Sequence, residues 1–247
     1  EARRKDHFRP GWFYTDGHLT LSWERLLKEG LEGIRERARK RLAEIRDVDG
    51  ISLSQRDFLE GTILCCNAIP VYARRYAEAA AEMALGTDDP ARARELREIS
   101  QICRWVPARP ARTLHEAVQA LWLVDLVLHA VVGARDFTPG RLDQYLYPFY
   151  KADLDAGRIT PEAAQELIEC LFIKCHEIIG FADQANARKR SPCQDSVQYV
   201  ILGGQTEDGR DATNSLSTSP LSIGMRLATN FSSSSSSGSS GASVVAK

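Results

Sequence analysis

The chain has 247 residues, 43% of them hydrophobic, with 32 Lys and Arg against 33 Asp and Glu and a formal net charge of -1. That balance supplies no basic surface for nucleic acid and no pull toward an anionic membrane. The longest apolar run, Ala117 to Gly133, is interrupted by Gln119, Asp125 and His129; it is shorter than the roughly 20 apolar residues of a membrane span and predicts a buried helix instead.

The chain begins at Glu1 with no signal-peptide pattern behind it, which reads as a break in a longer reading frame. Most of the chain has helical periodicity. Ser22 caps a helix expected to reach Ile45, with Trp23, Leu26, Leu27, Leu31, Ile34 and Leu42 on its apolar side and Glu36 and Lys40 as a solvated pair. The arginines from Arg35 to Arg46 are interleaved with glutamates and predict a wet helix face. Ser54 starts a second helix, Pro70 is expected to kink or interrupt it, and Gly86 stops it. Asp89-Pro90 is a cap followed by a first-turn proline, and that helix ends near Trp105 before Pro107 and Pro110.

Thr113 to Glu116 forms a capping box that opens an apolar helix to about Val132. Thr160-Pro161-Glu162 opens another, with Ala164, Leu167, Ile168, Leu171, Phe172 and Cys175 inward. The stretch Val197 to Leu202 is β-branched and aromatic and ends at Gly203-Gly204, which makes it the best strand, and Thr206 to Gly209 reads as a tight turn. Ser232 to Ser243 is almost pure Ser and Gly and is expected to be disordered. The six cysteines form no C-x-x-C pair and read as reduced thiols of a cytoplasmic protein.

Three stretches together resemble the pyruvate formate-lyase family of glycyl radical enzymes. They are Thr138 to Tyr150 with its continuation from Asp153 to Lys174, then Gly203 to Asn214, and more weakly Gly17-His18 with Leu27 to Ile34. The resemblance covers residues 7 to 217 and is nearer the dehydratase and decarboxylase branch. It implies an α/β fold, mostly α in this part, forming the amino-terminal portion of a ten-stranded barrel wrapped by helices. The expected domain is residues 1–217, with 218–247 a divergent tail.

The family's chemistry implies a backbone glycyl radical, installed by an iron–sulfur activating enzyme that uses S-adenosylmethionine. That radical generates a cysteine thiyl, which abstracts hydrogen from the substrate. The implied partners are a small-molecule substrate, the activating enzyme and a second copy in a homodimer. The radical cysteine and glycine are expected beyond this chain, so the chain alone is expected to be inactive. A dehydratase or another C–O, C–N or C–S lyase is preferred. Carbon–carbon cleavage or formate acetyltransfer, and a non-catalytic helical binding module, are the alternatives, discriminated by the downstream reading frame.

Six residues are candidate substrate contacts under this resemblance. His18 can hydrogen-bond a substrate hydroxyl or relay a proton, or simply sit at a helix entry, and Asp16 is a weaker candidate beside it. Arg135 can clamp a carboxylate or similar anion, and Asp136 can orient a hydroxyl or ammonium or neutralise Arg135 as a local ion pair. Val197 and Gln198 open the strand, where relatives often carry an aromatic, so Val197 implies a changed pocket. Arg141, Asp143 and Gln144 are signature residues expected to hold loop and barrel together. Cys65-Cys66 reads as structural, mid-helix, as do His115, His129 and His176.

Overall fold

A turn of helix forms wherever the apolar spacing and a local cap agree, and this chain is built largely that way. The structure, a computed structural model, describes residues 20–45, 50–131, 138–177, 200–218 and 245–246. The expected disorder of Ser232 to Ser243 lies outside them. Contacts divide the chain into two units, Glu24–Leu123 and the combination of Glu1–Trp23 with Val124–Lys247.

In the first unit, α1 (Trp23–Glu44) follows the predicted apolar face, with Leu26, Leu27, Leu31 and Ala38 buried. It is broken by a kink the periodicity did not announce. Gly30 has φ 65°, and the bend lets Leu31 and Glu32 donate backbone hydrogen bonds to Pro107 O and Ala108 O, both at 2.9 Å. A methyl group on Gly30 would lie 2.5 Å from Ala108 O, so the close approach requires glycine. Glu36 lies 3.9 Å from Arg39, not against the predicted Lys40.

The second helix, α2 (Gly50–Leu85), starts earlier than Ser54 and runs unbroken past Pro70. The missing hydrogen bond at Pro70 is offset by packing: Ala73, Ala77, Ala80 and Ala84 recur on one face and bury themselves against α3 (Pro90–Trp105), meeting Leu96, Ile99 and Cys103. Ser100 Oγ donates to Ala77 O at 2.7 Å within that contact. Phe58 and Leu64 of α2 are left exposed. Asp89 caps α3 as expected, accepting from Ala91 N at 2.9 Å with Pro90 in the first turn.

α4 (Leu114–Leu126) is buried nearly all round and continues as a π turn, Val127–Val131. Its capping box is half formed. Thr113 Oγ1 accepts from Glu116 N at 3.2 Å, while the Glu116 carboxylate accepts from Arg112 N at 2.7 Å and from the Arg112 guanidinium.

The second unit carries α5 (Leu142–Asp155), α6 (Pro161–Glu177), β1 (Ile201–Leu202), α7 (Ser215–Thr218) and β2 (Val245–Ala246). Leu142, Leu146 and Tyr150 of α5 and Ala164, Ile168, Leu171 and Phe172 of α6 are buried. Gly157, at φ 65°, ends α5 by letting Arg158 N reach back to Asp153 O at 2.8 Å. β1 pairs in parallel with β2, and Val200 forms a parallel bridge with Gly140. Among the described residues no helix is long and apolar enough to cross a membrane.

Candidate functional site

Asp16, His18, Arg135, Asp136, Val197 and Gln198 all lie outside the described residues, as does the side chain of His176. What the structure describes is the framework next to each of the three stretches, and that framework converges. Trp23 Nε1 donates to Thr138 O at 3.2 Å. Gly140 is so close to Thr20 that a methyl group on it would lie 3.2 Å from Thr20 Cγ2. Ile201 N donates to Gly140 O at 2.8 Å. Chain segments far apart in sequence, ending at Thr20, beginning at Thr138 and beginning at Val200, therefore share one junction around Gly140.

The first turn of α5 ties a second loop to that junction. Arg141 Nη2 donates to Gly203 O at 3.0 Å and Gln144 Nε2 to Ala212 O at 2.9 Å. Asp143 is fully buried, and its Oδ2 accepts from Gly203 N at 2.6 Å and from Ser217 Oγ at 2.5 Å. Asn214 Nδ2 returns a bond to Asp143 O at 3.3 Å, and Asn214 Oδ1 caps α7 through Leu216 N and Ser217 N. Gly203, at φ 67°, packs where a methyl group would meet Thr213 Oγ1 at 2.8 Å. Such bonds to a carboxylate are the stronger kind, and they are all spent inside the scaffold. The expected role of Arg141, Asp143 and Gln144 is what the geometry shows; Ser217 as the second donor to Asp143 carried no signal of its own in the sequence.

A buried polar cluster follows α4 into its π turn. His129 Nδ1 lies 2.9 Å from Asp125 O and 3.3 Å from Asp125 Oδ1. Both partners only accept when Asp125 is ionised, so Nδ1 carries the proton. Cys175 Sγ lies 4.0 Å from Asp125 Oδ2, and Tyr145 Oη donates to Pro139 O at 2.8 Å. Burial pushes the Cys175 thiol and the Tyr145 phenol well up, and the nearby Asp125 charge adds to both. The sequence reading of His129 as structural omitted this partner, although Asp125 stands four residues before it, where a helix brings two side chains together. Cys65 and Cys66 sit in mid-helix on α2, the first exposed and the second buried.

The sequence model described as pyruvate formate lyase-like matches residues 1–236. The chain belongs to that family. It is 38% identical over 196 residues to the isethionate sulfite-lyase of Nitratidesulfovibrio vulgaris, covering 78% of this chain and 24% of that enzyme. The solved structure describing 1,2-propanediol dehydration in Roseburia inulinivorans matches with a TM-score of 0.81 at 37% identity, over 92% of this chain and 28% of that one. A glycyl radical enzyme from Archaeoglobus fulgidus matches with a TM-score of 0.75 at 32% identity, over 86% and 27%. The chain thus spans about a quarter of the length of the relatives it matches. The expected fold, a mostly helical portion of the glycyl radical enzyme architecture, is the one observed.

Proposed function

We propose that these residues belong to a glycyl radical lyase that breaks a carbon–heteroatom bond in a small polar substrate, and that the bond is the carbon–sulfur bond of a hydroxyalkyl sulfonate. The observation that carries this reading is the 38% identity to an isethionate sulfite-lyase. An arginine at 135 supports it, because a guanidinium meets a three-oxygen anion with two parallel hydrogen bonds. In sequence, His18 stands two residues before Thr20, Arg135 three before Thr138, and Gln198 two before Val200. In sequence each candidate stretch therefore adjoins a segment that meets at Gly140, and Asp16, Asp136 and Val197 are its neighbours in the chain.

In this reading a thiyl, generated from a glycyl radical that an S-adenosylmethionine-dependent enzyme installs, removes one hydrogen atom from the carbon bearing the hydroxyl. The residues of this chain bind and orient: Arg135 holds the sulfonate, and His18 holds the hydroxyl. The carbon–sulfur bond then breaks with its electron pair and the hydroxyl proton leaving as hydrogen sulfite, the hydroxyl carbon becomes an aldehyde carbonyl, and the product radical recovers its hydrogen from the thiol. The structural match to a propanediol-dehydrating enzyme favours water loss from a diol as the second reading.

The test is anaerobic activation of the full reading frame that carries these residues, followed by electron paramagnetic resonance and product assay. A glycyl doublet with sulfite release from isethionate, impaired chiefly in KM by Arg135→Gln, is the expected result. Aldehyde from 1,2-propanediol without sulfite from isethionate selects the second reading. Absence of the doublet under conditions that activate a known relative rejects both.

A further inference from the structure

The first unit contains a cavity of 460 Å³ whose wall chemistry has no counterpart in the scaffold bonds described above. Arg35 comes from α1, Arg74 from α2, Arg104 from the last turn of α3 and Arg109 from the turn beyond it. Among the described residues Glu32 is the only acidic one on the wall, so four arginines there face one carboxylate, a net of three positive charges. Glu32 approaches Arg109 at 3.8 Å, and Arg109 also lies over the Trp105 ring at 4.7 Å. Arg35, Arg74 and Arg104 form no ion pair among the described residues. Arg35 Nη1 donates to the neutral Asn67 at 2.9 Å, and its Nε is buried with no hydrogen-bond partner among the described residues.

Among the described residues nothing else on the wall supplies the missing negative charge. The remaining ionisable groups are the buried thiols of Cys66 and Cys103. Burial pushes both upward, Cys103 to about 11, so both stay protonated near neutral pH. Like charges gathered in a concave space repel, and the buried Arg35 Nε–H without an acceptor is costly. The arrangement is compensated when an anion with several oxygens occupies it. The volume falls in the range of small-molecule sites and exceeds a bare tetrahedral anion.

We propose that this cavity is an anion-binding site that takes a multiply charged phosphate-class ligand, an inorganic phosphate or a small phosphorylated metabolite, between Arg35, Arg74, Arg104 and Arg109. The kink at Gly30 is part of its construction. By pairing Leu31 and Glu32 with Pro107 and Ala108, it brings the turn carrying Arg109 against the helix carrying Arg35. The planar forks of arginine suit phosphate oxygens, and removal of any one of them weakens the shared field.

The probe is inorganic pyrophosphate, titrated calorimetrically into the 247-residue chain at low ionic strength, with orthophosphate and citrate in parallel. Saturable binding is expected, with pyrophosphate tighter than orthophosphate and citrate the weakest. Arg74 and Arg104 have exposed side chains, so Arg74→Gln and Arg104→Gln leave the fold intact, as circular dichroism checks; together they are expected to weaken binding by about tenfold or more. Arg92→Gln, on α3 but paired with Glu95 at 2.9 Å outside the cavity, serves as the control and is expected to change nothing. Absence of saturable binding at millimolar pyrophosphate overturns the proposal. So does equal weakening by Arg92→Gln, which would mark a diffuse charge effect, or citrate binding tighter than pyrophosphate, which would mark a carboxylate site. Enhanced binding by a phosphorylated sugar over pyrophosphate would identify a metabolite as the source; the reverse order would identify the inorganic anion.

Discussion

Replacing Asp143 with alanine removes the acceptor on which the Gly203–Ser217 segment hangs. Two donors lose their partner: Gly203 N at 2.6 Å and Ser217 Oγ at 2.5 Å. Hydrogen bonds to a charged acceptor contribute about 1.5–3 kcal/mol each, and a buried donor left unsatisfied costs about 1–3 kcal/mol. Part of this is offset, because Asp143 Oδ1 is buried with no partner among the described residues, and its desolvation cost disappears with the carboxylate. The net expectation is a loss of about 3 kcal/mol, felt locally because Arg141 and Gln144 still hold the segment at Gly203 O and Ala212 O. Hydrogen–deuterium exchange read by mass spectrometry reports that opening directly. Peptides covering residues 203–217 should exchange about 100-fold faster in Asp143→Ala, while peptides from α2 and α3 should not change. Ser217→Ala in a double-mutant cycle should show a coupling of about 1–2 kcal/mol with Asp143→Ala. Unchanged protection in 203–217, or strict additivity of the two substitutions, would refute the reasoning.

Gly30→Ala places a methyl group 2.5 Å from Ala108 O at a φ of 65°, so steric overlap and left-handed strain add to about 2–5 kcal/mol, read as a fall in the urea midpoint. Glu116→Gln weakens the bonds to Arg112 N and its guanidinium and removes a charge at the start of α4, for a loss of about 1–2 kcal/mol in the same assay. The Cys103 thiol is pushed by burial from 9.0 to about 11. Its proton is held more tightly in the folded state, so its contribution is complete below the unfolded pKa and drains away as pH rises toward the folded one. Stability should therefore fall between pH 9 and about 11 at up to about 1.4 kcal/mol per unit, and Cys103→Ala should flatten that slope. Thiol titration with a disulfide reagent in the folded state should modify Cys65 and Cys170 and leave Cys66 and Cys103 until unfolding.

The parts of this fold that were legible are those whose cause is local. Asp89-Pro90 and Thr160-Pro161 start helices because a side-chain oxygen and a fixed proline φ act within one turn, and Thr206 to Gly209 closes on itself through Gly209 N to Thr206 O at 3.0 Å. What the pattern misplaced has a distant cause. The apolar spacing from Leu26 to Ile34 looks continuous, and only the docking of residues 107–109 makes Gly30 bend. Pro70 signals a break, and the alanine face that keeps α2 continuous finds its partner across a turn. For the site, the motif Arg141 to Gln144 announced anchoring, but the choice of Ser217 as a donor depends on a contact across 74 residues. The six candidate contacts rest on resemblance alone and lie outside the described residues.

The proposed site, assembled from three separated stretches, requires the ends of those stretches to be fixed before any contact residue can be aimed. This chain commits its best polar groups to that task. Trp23 Nε1, Asp143 Oδ2, Asn214 and Ser217 bond to backbone and to one another, and Gly140 and Gly203 have positive φ with neighbouring atoms 3.2 Å and 2.8 Å from where a methyl group would lie. Errors of about 1 Å in such a framework cost reaction rate even when every reacting group is present. The anchors are consequently where substitutions at a distance from the substrate should lower kcat and raise KM together. A contact such as the proposed Arg135 clamp should instead act mainly on KM, since it holds an anion whose charge is the same before and during reaction.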